Sequence, residues 1–297
     1  MIKFAVDSVA DFMRALLVTE SHFSGSRYYF RGQGDERWGL VPSAFRPESW
    51  ERFLGASQVE LLPRDKDRPK LLADSAALRA AESSLLARLA AIVSRTGLPP
   101  NLGRGDGSTA YAQHIGLPTR ALDWTRSPHT ASYFAAERAL SCRGSGRLAV
   151  FAISDEYLTA IKNEVLVRQL RIEAFGNANI VAQQGILLEF VGTSDLLANT
   201  SCSEQTLGWK PTPLEVQHAA VKMLQVTLPW SLAPEVLRHL RNQDIHGATL
   251  FPGGEGVARL VRELSFAPDH GVSNVEPDTT PEEETPAPQS APPRERE

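Results

Sequence analysis

Two hydrophobic rhythms alternate along the chain. Short runs rich in branched and aromatic residues predict strands at residues 2–6, 28–34, 147–153, 186–191 and 219–228. In the last of these, Leu224, Val226 and Leu228 recur at period two and form the inner face. Helical spacing appears at Val9, Phe12, Ala15 and Leu16, behind Asp7 or Ser8 as cap. It returns from Ser75 to about Arg95, where Leu78, Leu85, Leu89 and Ile92 fall on one face. A short helix ends at Gln113 and His114, and Gly116 suits the left-handed closing position. Ser127 and Pro128 make a cap and first turn for a helix that buries Ala131, Phe134 and Ala135. Residues 156–175 read as helical in part and carry Arg168 and Arg171; Pro234 opens a helix to about Arg241, and a last helix covers 256–263.

This mixture predicts an α+β fold: a single mixed domain over residues 1–270, with a central, mostly antiparallel sheet flanked by helices. Residues 50–106 form a helical spacer within it. Its end, 96–107, reads as a flexible connection, and G-R-G-D-G shares with phosphate loops only its glycine content. From 271 to 297 the chain has six prolines, no aromatics and no large aliphatics except valine, the composition of a disordered acidic tail.

Charge sharpens that division. Of the formal −4, the tail contributes seven acids and two bases, a net −5, which leaves +1 for the domain and no whole-domain case for capturing nucleic acid. The tail is a candidate docking segment for a partner protein. Two cysteines among 297 residues make neither a disulfide framework nor a zinc set, and point to a reducing cytoplasm. Asp7 and Asp11 stand where a signal peptide needs an apolar run, and no stretch is long enough to span a membrane.

The chemistry concentrates in residues 111–136, Y-A-Q-H-I-G-L-P-T-R-A-L-D-W-T-R-S-P-H-T-A-S-Y-F-A-A. Asp123 lies between Leu122 and Trp124, a sheltered place that calls for Arg120 or Arg31 as partner. Arg31 ends a strand beside a glycine turn. The polar groups around Asp123 and Thr125 lie next to a helix start, where backbone N–H groups favour an anion. Gln183 and Gln184 precede a strand, where adjacent amides read a ligand or close a turn. Gln33, Gln113, Thr119, Arg120, Trp124, Thr125, Ser127 and Gln183 are the candidate binding residues; Arg31, His114, Asp123 and Gln184 are the candidates for chemistry. His129 is a lesser candidate. The spacing of His114, Asp123 and His129 matches no metal-ligand pattern.

Y-F-R-G-Q at 29–33, Q-H-I-G-L-P-T-R-A-L-D-W-T-R-S-P at 113–128, the following A-S-Y-F-A-A, A-Q-Q-G-I-L, and D-I-H-G-A-T-L-F-P-G-G-E-G-V-A-R-L resemble the FRG domain, over about residues 20–265. That resemblance implies a bacterial or phage-associated protein with a role in phage defence or toxin-type inhibition, and names no reaction. The order of features is also similar to ADP-ribosyltransferase-like folds. That likeness implies NAD as substrate, with no cofactor required: Arg31 clamps the diphosphate, Thr119, Thr125 and the Ser127 helix hold the ribose, and Gln184 orients. The usual catalytic glutamate is absent from the Gln-Gln-Gly turn, and Glu189 lies in the strand beyond. Two other readings use the same residues. His114 as general base with Asp123 as its orienter, and Arg31 and Arg120 on phosphate, suit nucleotide or RNA cleavage. An Arg31–Asp123 ion pair tying strand to loop suits a non-catalytic nucleotide- or protein-binding module.

Overall fold

The computed structural model describes residues 2–21, 27–46, 49–50, 76–163, 167–172, 178–190, 205–206 and 223–267. The acidic tail, the spacer from 51 to 75, and Cys202 lie outside the described residues. The strands are β1 (Ile2–Ala5), β2 (Tyr28–Gln33), β3 (Ala121–Thr125), β4 (Arg147–Ser154), β5 (Val167–Gln169), β6 (Gly185–Phe190), β7 (Gln205–Thr206) and β8 (Met223–Pro229). They form one sheet in the order β5-β6-β3-β2-β4-β8-β1-β7. Only β1 runs parallel to its neighbours, β8 and β7; every other pairing is antiparallel. The α+β fold with a mostly antiparallel sheet is therefore as the sequence predicts.

The helices are α1 (Val9–Ser21), α2 (Ala76–Val93), α3 (Gly105–His114), α4 (Pro128–Ala139), α5 (Asp155–Asn163), α6 (Ala178–Ala182), α7 (Ala233–Arg241), α8 (Gly247–Leu250) and α9 (Gly254–Phe266). Both faces of the sheet are covered, so β4 is buried along almost its whole length. Leu148, Val150 and Ala152 join Leu224, Val226 and Leu228 against Phe12 and Leu16 of α1, Tyr133 of α4 and Leu237 of α7. Ala149, Phe151 and Ile153 point the other way, to Tyr29, Trp50, Leu122, Trp124 and Leu188. Each fully buried side chain of the size of Phe12 or Leu16 contributes about 1.5–3 kcal/mol relative to exposure.

Local signals decide the helix ends. Ser8, rather than Asp7, caps α1, its hydroxyl accepting from the Asp11 N–H at 3.1 Å. Ser127 caps α4 by accepting from the Thr130 N–H at 3.1 Å, with Pro128 in the first turn. Gly116 takes φ +83° just past α3.

Three expectations need correction. Ile92 is 58% exposed, because the inward face of α2 follows Glu82, Leu89 and Val93 instead. The G-R-G-D-G stretch is not all loop: α3 starts at Gly105, with Asp106 in its first turn accepting from the Arg171 N–H. Residues 156–175 are helical in part, as expected: the helix covers Asp155–Asn163, and Arg168 lies in strand β5. Asp123 is not sheltered; its side chain is 69% exposed, since period-two alternation sends it away from the cluster that holds Leu122 and Trp124.

Candidate functional site

The site begins where the sheet splits. Strands β2 and β3 share a single registered pair, Phe30 opposite Thr125. On one side of that pair, Arg31, Gly32 and Gln33 are registered only to β4, and Ala121 to Trp124 only to β6. A cleft of about 840 Å³ opens in this region, within the size range of small-molecule sites.

Gly32 explains why the split is rigidly placed. A Cβ there would lie 2.0 Å from the Ala131 carbonyl oxygen and 2.6 Å from the Ala135 nitrogen. Only glycine lets the backbone of α4 rest directly on β2, and this fixes Arg31 one residue before it. Arg31 bridges the gap: its Nη1 donates to the Asp123 carbonyl at 2.7 Å and lies 3.9 Å from the Asp123 carboxylate. Its Nε is buried without a partner. Burial pushes the guanidinium below its ordinary pKa, Asp123 opposes that, and Arg46 adds to it. The group remains a cation, since arginine stays charged in proteins.

Two more buried polar atoms around the same cleft have no partner. Gln33 donates through Nε2 to the Gly39 carbonyl at 3.4 Å, while its Oε1 is unpaired, and the Trp124 indole N–H is unpaired as well. Buried polar atoms are ordinarily satisfied, and each one left open costs about 1–3 kcal/mol. Two donors and one acceptor left open around one cleft are what a polar ligand would close.

Arg31, Gln33, Gln113, His114, Asp123, Trp124, Thr125 and Gln183 all line the cleft. Some are already engaged. The Thr125 hydroxyl donates to the Gln183 carbonyl at 2.6 Å and accepts from the Ser127 N–H at 3.0 Å. Gln183 donates through its amide to the Leu250 carbonyl at 3.0 Å, and Gln113 accepts from the Thr119 hydroxyl at 2.9 Å. No hydrogen bond or ion pair joins His114 to Asp123.

The other expected residues lie outside the cleft, each for a physical reason. Thr119 is fully buried in its bonds to Gln113 and Ser43. Ser127 spends its hydroxyl as cap, and the cleft meets α4 at Phe134, Glu137 and Arg138 instead of at its N-terminus. Gln184 occupies the turn before β6 at φ +48°, exposed, its carbonyl accepting from the Arg126 N–H at 3.2 Å. Arg120 binds Glu82 through both its backbone N–H and its Nε, and approaches Glu189 at 3.6 Å. Arg168 joins Glu189 on the other side at 2.6 Å and continues to Asp106. Glu189 is thus held between two arginines and does not line the cleft. Among the described residues no cluster of His, Cys, Asp and Glu could hold a metal ion.

Sequence reasoning missed Arg37, Trp38, Arg46, Phe134, Glu137, Arg138, Phe251, Glu255 and Arg259, which also line the cleft. The last three come from the chain's far end, placed by two glycines. A Cβ on Gly256 would lie 2.0 Å from the Phe251 carbonyl oxygen, and one on Gly247 would lie 2.6 Å from the Arg259 Cβ. These glycines let α8 and α9 pack backbone to backbone. Glu263 completes the join by accepting from the Gly247 N–H at 3.0 Å and the Tyr133 hydroxyl at 2.6 Å.

Compared with known protein families, residues 26–143 match the FRG domain. That match shows an FRG domain in this part of the chain. The matched FRG segment takes in β2, α2, α3, β3 and α4, and so includes Arg31, Gly32, Asp123 and Trp124. Gln183, Phe251 and Arg259 reach the cleft from beyond the match. No curated protein and no solved structure matches the chain. Among the described residues no helix is long and apolar enough to cross a membrane.

Proposed function

We propose that the cleft is a nucleotide-binding site, with an NAD-like dinucleotide as the ligand class that best suits its size and lining. One observation carries this reading: Arg31 Nε, Gln33 Oε1 and the Trp124 indole N–H are buried, unpaired and gathered around one cleft. A phosphate suits Arg31, whose planar fork binds oxyanions at two points. Arg138 supports it from α4: among the described residues it makes no ion pair, and its guanidinium lies 5.9 Å from the centre of the Trp38 ring.

A consuming reaction is the second reading, favoured by the Asp123 carboxylate, which stands exposed in the cleft beside Arg31. A carboxylate placed there stabilises positive charge developing on a ribosyl carbon when a nicotinamide leaves. In this form of ADP-ribosyl transfer Asp123 takes the electrostatic role and Gln184 takes none. Cleavage of RNA by His114 and Asp123 requires a water between them.

Both readings meet one experiment. Full-length protein and Arg31→Lys are titrated with NAD, ADP and a short RNA, and the mixtures are then followed by mass spectrometry. Binding of NAD or ADP by the wild type, weakened at least tenfold in Arg31→Lys at unchanged melting temperature, is the expected result. Absence of binding at millimolar ligand refutes the site. Release of nicotinamide selects the consuming reaction, and shortened RNA selects the nuclease.

A further inference from the structure

We infer that the cleft holds its ligand in one direction, with phosphate at the Arg31 end and the nucleobase stacked on Arg259. This rests on the nucleotide reading above and adds to it an orientation and a base platform. Two arginines of the same cleft differ in what they can still offer. Arg31 keeps Nε unpaired and donates through Nη1 to the Asp123 carbonyl, with the exposed Asp123 carboxylate 3.9 Å away. Arg259 faces carboxylates on two sides: Nε and Nη2 donate to Glu255 at 3.1 and 2.8 Å, and Nη1 lies 3.6 Å from Glu137. Glu137 is itself held by Arg262 at 3.0 Å.

Its Nε–Nη2 edge is thereby taken by Glu255, and its charge is offset by two carboxylates, which disfavours a phosphate there. What it retains is a flat, delocalised surface. Its centre lies 4.0 Å from the centroid of the Phe251 ring, a stacked arrangement, while Phe134 meets that ring nearly edge-on at 5.9 Å and 88°. Arg259, Phe251 and Phe134 all line the cleft. Aromatic rings and arginine planes are the surfaces on which nucleobases stack. Rigidity favours the same role, because Gly247 and Gly256 press α8 against α9 and leave the platform little room to shift. The cleft thus has one end with an unsatisfied buried donor and another with a charge-paired arginine plane.

The test compares a ligand with a base against one without. Full-length wild type, Arg259→Met and Arg31→Lys are titrated calorimetrically with ADP and, in parallel, with inorganic pyrophosphate. Arg259→Met is expected to weaken ADP about tenfold and to leave pyrophosphate within twofold; Arg31→Lys weakens both. Phe251→Leu, which keeps an apolar side chain and every ion pair of Arg259, is expected to show the same selective loss and serves if Arg259→Met melts early. Equal weakening of ADP and pyrophosphate, or unchanged ADP affinity in both platform variants, overturns the orientation while the binding site stands. A wild type that binds neither ligand removes both.

Discussion

Arg120 looks like a ligand residue in the sequence and behaves as a structural one in the fold, so its replacement separates the two roles. Glu82 is buried to 1% side-chain exposure and is held by the Arg120 backbone N–H at 2.7 Å and by the Arg120 guanidinium. Arg120 is itself only 20% exposed, so solvent screens the pair weakly. Arg120→Ala leaves the Glu82 carboxylate with the backbone N–H of residue 120 but without its cation, and removes one partner from Glu189, which keeps Arg168. Leaving a buried charge unpaired costs about 3–5 kcal/mol, which lowers the melting temperature by roughly 10 °C for a chain of this size. The cost also depends on pH. Burial raises the Glu82 pKa, with Arg120 acting against that rise. A carboxyl whose folded pKa is raised contributes most below its unfolded pKa and loses that contribution as pH rises through the folded value. Removing Arg120 raises the folded pKa further, so the deficit is greatest at neutral pH and shrinks in acid as Glu82 takes a proton. Urea unfolding followed by tryptophan fluorescence from pH 4 to pH 8 measures it. A cost below about 1 kcal/mol, or one that does not change with pH, refutes the reasoning and makes Arg120–Glu82 an ordinary exposed ion pair.

Two further predictions concern the joints around the cleft. Gly32→Ala drives a methyl group into the α4 backbone and should cost about 3 kcal/mol or more, seen as loss of soluble protein or a collapsed melting temperature; tolerance of alanine would mean that α4 does not rest on β2. Glu263 is also raised by burial, and its folded pKa exceeds the unfolded one. Glu263→Gln keeps an acceptor for Tyr133 and Gly247 but does not titrate, so wild type should lose stability relative to this variant as pH rises through the folded pKa. Parallel thermal melts across acidic and neutral buffers check the sign. Glu263→Ala, which leaves the Tyr133 hydroxyl unpaired, should cost about 1–3 kcal/mol in acidic buffer, shrinking as pH rises.

Much of the architecture was legible because burial here follows simple periods. β4 and β8 alternate between two apolar clusters, and their runs of branched residues announce it. Arg31, Asp123 and Trp124 were also legible, since polar groups without a core pattern marked the central stretch. Arg120 misled because it stands three residues before Asp123, while the partners that claim it, Glu82 and Glu189, lie far off in the chain. Gln184 misled for a local reason: the turn before β6 takes its backbone through φ +48°, leaving Gln183 on the cleft side. Phe251 and Arg259 could not be read from spacing at all. Their hint was the glycine pattern of residues 247–256, which marks close helix contact and says nothing of what the helices meet.

The lone pairing of Phe30 with Thr125 has a mechanical consequence. The eight strands behave as a three-stranded leaf and a five-stranded leaf joined by one rung, with the Arg31 guanidinium as a cross-tie beside it. Bending at that rung changes the width of the gap without breaking any other strand pairing, while β2 itself stays fixed against α4. A molecule that spans the gap adds ties between the leaves. Amide exchange in β3 and β6 should then slow when the cleft is filled, even at residues that touch nothing in it.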